Sequence, residues 1–254
     1  MTLLLDAGNT RLKWSRLVDG RLGVVEATPH RDVPAADWQR VLAGAGRPAR
    51  LVVANVAGES FGHALTDWAR ATWNVAPEFV ATRARAAGLT IAYAMPTALG
   101  VDRWLAMIAA WRTARRACVV IVAGTALTVD AVDAQGRHRG GYIVPGVRMM
   151  REALHERTGG IARASALAPP AVDGAFGVNT GGAVEQGARV ALAALAERSV
   201  AELARVLIPG DAPPHVFLAG GDGELVAPLL RIEHSRAPDL VLQGLAAIAQ
   251  EPHP

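Results

Sequence analysis

Lysine is almost missing from this 254-residue chain: Lys13 is the only one among 26 basic residues. Without a Gly-Lys-Ser/Thr run anywhere, the glycine-rich phosphate loop that uses such a lysine is excluded, with every mechanism built on it. Cysteine is equally scarce. Cys118, alone inside an apolar run, excludes an intrachain disulfide and a structural zinc site and is expected to be inert core. No stretch has the length of a membrane-spanning helix, and Leu3-Leu4-Leu5, with no basic residues before it, is too short for a signal peptide. These absences predict a cytoplasmic protein with no membrane partner. The formal net charge of +3 comes from arginines that are scattered rather than clustered. That spacing argues against nucleic acid and suits phosphorylated ligands. A hydrophobic content of 51% can supply the core of one large domain or two of modest size.

What the chain does have is two short glycine-threonine turns, each against an apolar run. Asp6-Ala7-Gly8-Asn9-Thr10 follows Leu3-Leu4-Leu5, and Gly124-Thr125-Ala126-Leu127-Thr128 follows Val119-Val120-Ile121-Val122-Ala123. A buried strand ending in glycine can bend sharply and bring bare backbone close to a ligand. The hydroxyls of Thr10, Thr125 and Thr128 and the amide of Asn9 add donors suited to phosphate oxygens. Asp6 would repel a phosphate unless a cation lay between them, so it reads best as a ligand of Mg²⁺, through water or directly. The plain alternative is that each turn merely closes a β-hairpin. Two such turns, one in each half, are what a nucleotide held between two related domains requires.

The surrounding pattern supports a duplication. Residues 3–5, 11–18 and 22–27 read as strands with Asp19-Gly20 as a tight turn; residues 118–122, 126–132 and 139–144 repeat the arrangement, with Gln135-Gly136 in the later turn. Residues 50–56 predict a further strand, and 61–73 a helix with Phe61, Leu65, Trp68 and Ala69 on one face. Further helices are expected at 101–116, 146–156, 181–206, 222–231 and 239–250. The boundary between halves falls near Arg115–Ala117, giving lobes 1–116 and 117–254. Leu218-Ala219-Gly220-Gly221 follows an apolar strand and precedes a helix, so a flat ring such as adenine could lie on its backbone. His30-Arg31-Asp32 matches a protein-kinase catalytic loop in three letters only. It lacks the downstream asparagine and the Asp-Phe-Gly segment and is set aside.

These motifs carry a family resemblance. Asp6-x-Gly-Asn-Thr10 resembles the first phosphate motif of the acetate and sugar kinase, Hsc70 and actin superfamily, Gly124-Thr125 its second, and Gly220-Gly221 its adenosine motif. More narrowly, Gly100-Val101-Asp102-Arg103, Gly140-Gly141-Tyr142-Ile143-Val144-Pro145-Gly146 and Asn179-Thr180 are similar in order and spacing to those of the type III pantothenate kinases, over nearly the whole chain. The resemblance implies an α/β fold of two duplicated ribonuclease-H-like, actin-like ATPase domains with mixed sheets and an interdomain nucleotide cleft. It also implies phosphorylation of pantothenate by Mg-ATP, the first step towards coenzyme A, and a homodimer. Residues Asp6, Ala7, Gly8, Asn9, Thr10, Arg11, Leu12 and Lys13, with Gly124, Thr125, Gly220 and Gly221, then bind ATP. Tyr93, Gly100, Val101, Arg103 and Thr180 bind pantothenate.

The chemistry of Asp102-Arg103 suits that substrate. Pantothenate brings a hydroxyl that must lose a proton and a carboxylate that must be anchored. Asp102, at the start of an expected helix, can take the proton late in a loose phosphoryl-transfer transition state, while Arg103 can grip the carboxylate. Asp102 could also be an ordinary acidic residue at a helix N-terminus. Lys13 could place charge near the outer phosphates or face solvent. Trp104 and Trp111, seven apart on the same helix, are candidates for dimer packing. One departure concerns a monovalent cation, K⁺ or NH₄⁺, which relatives bind through an aspartate two residues before the second glycine-threonine pair. Here that position is Val122, which has no oxygen to offer. Another kinase of the superfamily, or a non-catalytic transcriptional accessory factor, remains the alternative.

Overall fold

The structure is a computed structural model that describes residues 1–31, 33–206 and 212–251. Asp32, part of the kinase-like triplet, lies outside the described residues. Two compact units divide the chain: Met1–Arg115 with Gly136–His138 and Asp239–Pro254 form one, Arg116–Gln135 with Arg139–Pro238 the other.

Unit 1 is built on β1 (Thr2–Ala7), β2 (Arg11–Val18), β3 (Arg21–Leu22), β4 (Glu26–Pro29), β5 (Arg50–Asn55) and β6 (Pro77–Phe79), in the order β3-β2-β1-β5-β6 with β4 also on β2. β1 runs antiparallel to β2 and parallel to β5. Alternation decides what each face of β1 meets. Leu3, Leu5 and Ala7 join Leu65, Ala69 and Trp73 of α2 (Glu59–Trp73) and Trp38 and Leu42 of α1 (Ala35–Ala43) in one core, with Phe61 and Trp68 packed at its edge. Each leucine so buried contributes about 1.5–3 kcal/mol. Leu4 and Asp6 face the other way. The expected strand 22–27 is broken into β3 and β4. Between the pairs Leu17–Leu22 and Trp14–Glu26, β2 advances by three residues and its partner by four, so a bulge around Gly23 takes up the extra residue. Asp19 and Gly20, both with positive φ, make the tight turn expected before it. A small ribbon of β7 (Arg85–Ala86) and β8 (Leu89–Thr90) precedes α3 (Val101–Ala114). Trp104 is completely buried in this unit and Trp111 nearly so. Both are therefore core residues, not dimer anchors, because α3 is enclosed on almost every side: Val101 and the whole run from Arg103 to Trp111 are buried.

Unit 2 repeats the plan. Its sheet comprises β9 (Cys118–Ala123), β10 (Ala126–Val132), β11 (His138–Pro145), β14 (His215–Ala219) and β15 (Ser235–Arg236), in the order β11-β10-β9-β14-β15. β9 is antiparallel to β10 and parallel to β14, the counterpart of β2-β1-β5. Between β11 and β14 run α4 (Val147–Arg157), α5 (Gly159–Leu167), the ribbon β12 (Val172–Asp173) and β13 (Phe176–Gly177), and the long α6 (Thr180–Val206). Leu192, Ala193 and Ala196 of α6 pack on Val119, Ile121 and Val129. α7 covers only Gly223–Val226 before a 3-10 turn at Ala227–Leu229, where Pro228 ends the α-helix expected over 222–231.

The last helix, α8 (Leu240–Ala249), counts with unit 1, although the sequence reading places it in the second lobe. It packs along α3, where Gly244 has no Cβ to collide with the Leu105 carbonyl. The fold is thus α/β with two ribonuclease-H-like sheets of the actin-like ATPase plan, as the resemblance implies. Among the described residues, no helix is long and apolar enough to cross a membrane.

Candidate active site

In unit 1 the chain reverses between β1 and β2 through Gly8-Asn9-Thr10, closed by Gly8 N–H donating to the Arg11 carbonyl at 3.1 Å. The turn is a hairpin, as the plain alternative held, and it is also lined with charge. Asp6 and Lys13 lie directly opposite one another on β1 and β2 and so share a face. It is the face that α3 and α8 cover, and the first turn of α3 carries Asp102. Burial, then the nearby charge of Asp102, push the Asp6 carboxyl up to about 7, while Lys13 pulls it down. A buried carboxyl with a second carboxylate close by forms a place where a cation is favoured. Mg²⁺ fits, because it is commonly held by one or two carboxylates, waters and substrate phosphates. Among the described residues no cluster of three or more His, Cys, Asp or Glu could hold a metal by protein alone.

Asp102 is oriented by its own helix: its Oδ1 accepts from the Arg103 backbone N–H at 2.8 Å. A Cβ on Gly100 would lie 2.7 Å from that oxygen, so the Asp102 carboxylate would have to turn aside. Arg103 is buried, and its guanidinium donates to the Tyr93 hydroxyl at 3.3 Å while lying 5.9 Å from the centre of the ring. The structure therefore brings Asp6, Lys13, Asp102, Arg103 and Tyr93 into one unit. His138, which the sequence reading passed over, stacks on Tyr93 with ring centres 6.0 Å apart. Ala7, Leu12 and Val101 point into the core, so only their backbones can face a ligand. Asn9 and Arg11 are exposed.

Unit 2 holds the other motifs. Gly124-Thr125 links β9 to β10, with Gly124 N–H donating to the Ala126 carbonyl at 3.0 Å. Two glycine segments crowd this turn. Gly146 N–H donates to the Thr125 carbonyl at 3.0 Å, and a Cβ on Gly146 would strike the Gly124 carbonyl. A Cβ on Gly220, which has φ +90, would strike the Ala123 carbonyl, to which Asp222 N–H donates at 3.0 Å. The Gly140–Gly146 and Gly220-Gly221 motifs are thus packed onto the second turn by backbone contact. Val122 lies opposite Thr128, whose Oγ1 is buried without a hydrogen-bond partner. Cys118 is core, and burial pushes its thiol up to about 12. Thr180 begins α6, where the Asn179 side chain caps the helix by accepting from Gly182 N–H at 2.7 Å. It lines an apolar hollow of about 630 Å³ with Pro145, Met150, Leu154 and Ile161.

Comparison with known proteins bears on these motifs together. The profile of a family described as Type III pantothenate kinase matches residues 2–202. A protein of that name from Azoarcus sp. (strain BH72) is 39% identical over 252 residues, covering 98% of this chain and 90% of its own length. Another, from Nitrosococcus oceani, is 34% identical over 261 residues, covering 99% and 94%. Among solved structures, one described as a Baf family transcriptional activator from Campylobacter jejuni gives a TM-score of 0.55 at 20% identity, over 98% of this chain and 97% of that one. The activator of 2-hydroxyisocaproyl-CoA dehydratase from Clostridium difficile, with bound ADPNP, gives 0.51 at 14%, over 97% and 92%. The structural likenesses establish the fold alone.

Proposed function

This chain belongs to the type III pantothenate kinase family, and on that premise we propose which residues carry its reaction. The reaction is the ATP-dependent phosphorylation of pantothenate to 4'-phosphopantothenate, the first step of coenzyme A biosynthesis. The observation that carries the residue assignment is the juxtaposition, in unit 1, of two charge-coupled aspartates with an arginine fixed on a tyrosine. Asp102 accepts the proton of the pantothenate hydroxyl as the oxygen bonds to the γ-phosphorus and the bond to ADP breaks. Arg103 anchors the substrate carboxylate, and Tyr93, which accepts a hydrogen bond from Arg103, shapes the pocket beside it. Asp6 would hold Mg²⁺ through water, and the ion would supply neutralisation of the charge that develops on the phosphates. The turns at Gly8–Thr10 and Gly124-Thr125 donate to one triphosphate, with adenosine against Gly220-Gly221. Gly100, Val101 and Thr180 complete the acceptor site.

With Val122 in place of a carboxylate, the chain lacks the side chain through which relatives would hold K⁺ or NH₄⁺. Thr128 Oγ1 and backbone oxygens are what remain nearby, so we propose no strict requirement for that cation. We also propose that the protein works in the cytoplasm as a homodimer, as the family resemblance implies. Incubation of the purified protein with γ-labelled ATP and, separately, pantothenate, acetate and simple sugars tests the acceptor assignment. Label on pantothenate alone is expected, whereas label on a sugar or acetate in preference would replace pantothenate as the substrate. No transfer to any acceptor by folded protein would favour a non-catalytic regulator.

A further inference from the structure

We infer that His30 is a positioning residue for the nucleotide, acting through the first phosphate turn; the inference rests on reading Gly8–Thr10 as that turn. Two bonds from this one residue fix both ends of it. His30 Nε2 lies 2.6 Å from the Gly8 carbonyl oxygen, and His30 N–H donates to the Thr10 carbonyl at 3.2 Å. A carbonyl can only accept, so the imidazole carries its proton on Nε2. The second bond follows from register. β4 pairs Pro29 with Arg11, and one further step along the antiparallel pair sets His30 across from Thr10.

Peptide planarity turns these bonds into a direction. In a trans peptide the carbonyl of one residue and the N–H of the next point oppositely. Holding the Gly8 carbonyl towards His30 therefore aims the Asn9 N–H away from it, while the bond to the Thr10 carbonyl anchors the other end of the turn to β4. An anion site built from backbone needs N–H groups held outward before the ligand arrives, because an oxygen turned to the same side would repel the phosphate. The imidazole is itself held. Its ring packs on Phe61 at 4.9 Å between centres, Phe61 packs on Trp38 at 5.4 Å, and Trp38 on Trp68 at 5.8 Å. His30 thus couples the phosphate turn to the aromatic edge of the core, and neither contact involves the acceptor substrate.

Three substitutions separate the hydrogen bond from the packing. His30→Ala loses both the Nε2–H and the ring. His30→Phe keeps a ring on Phe61 without the donor, and His30→Gln keeps an amide N–H without the ring. ATP affinity by titration calorimetry and the KM values for ATP and pantothenate are measured on each, with the thermal midpoint as control. Loss of one hydrogen bond should weaken ATP roughly 5- to 10-fold in the alanine and phenylalanine variants, with the pantothenate KM unchanged and His30→Gln close to wild type. His30→Phe binding ATP like wild type, or equal changes in both KM values, would overturn the inference. Wild type that binds ATP but does not phosphorylate pantothenate would sink the acceptor assignment while leaving the calorimetric comparison decisive for His30. Wild type that binds no ATP would overturn both.

Discussion

The two units carry the same sheet order and the same position of turn, yet they are furnished in opposite ways. In unit 1 the residue two before the turn glycine is Asp6, and the residue across the strand pair is Lys13. In unit 2 the corresponding residues are Val122 and Thr128. Around the first turn stand charged side chains, with Asp102 close enough to shift Asp6. The second turn is instead surrounded by glycines whose missing Cβ atoms let Gly146 and Gly220 pack onto carbonyl groups. A duplicated scaffold thus carries charged side chains around one turn and closely packed, bare backbone around the other.

The largest effect that would break this contrast lies in the charged half. Asp102→Asn should lower kcat on the order of 10²–10⁴-fold with ATP affinity preserved; wild-type turnover would remove Asp102 from the chemistry. Next, Arg103→Ala should raise the pantothenate KM roughly 10- to 100-fold, since it deletes a charged, buried donor, and an unchanged KM would count against its role. In the backbone half, Gly220→Ala should destabilise the fold by about 1–3 kcal/mol or more, while its neighbour Gly221→Ala stays within about 0.5 kcal/mol. Thermal melts decide this, because open space lies where a Cβ on Gly221 would go. A smaller effect concerns Val122. Replacing K⁺ by a bulky organic cation should leave the rate nearly unchanged, and collapse to background would show that unit 2 holds an ion after all.

The smallest effect is at Cys118. Burial raises its thiol to about 12, above the ordinary value for a thiol, so the folded state favours the neutral form. Its stabilising contribution is complete below the unfolded thiol pKa and is lost as pH rises through about 12. A thiol reagent at pH 8 should therefore leave native protein unlabelled and label it fully in denaturant.

Much of the sheet plan was legible because alternation and glycine turns are local signals. Leu3 to Leu5 and Cys118 to Ala123 announce buried strands, and Asp19-Gly20 announces its turn. The misses depend on distant partners or on local signals too weak to read. The bulge at Gly23 is visible only through the pairing of two strands with β2. α1 was passed over although Trp38 and Leu42 sit one helical turn apart, since a short polar helix with two anchors carries little periodic signal. α5 opens on Gly159-Gly160, which reads as a loop. α8 belongs with unit 1 because Gly244 admits the α3 backbone, a contact no linear pattern records. Trp104 and Trp111 looked like interface anchors for want of knowing what encloses α3. At the site, Asp102-Arg103 and the two turns were readable as motifs, whereas His30 was dismissed with a chance triplet and His138 went unnoticed. Each touches a neighbour far along the chain.

The division of labour requires both turns to serve one nucleotide. Calorimetric ATP affinities of Thr10→Ala, Thr125→Ala and the double variant test it most directly. If one triphosphate is held by both turns, each single change weakens binding and the double change departs from the sum of the two. Undiminished affinity in Thr125→Ala would leave the second turn without a phosphate and contradict the scheme.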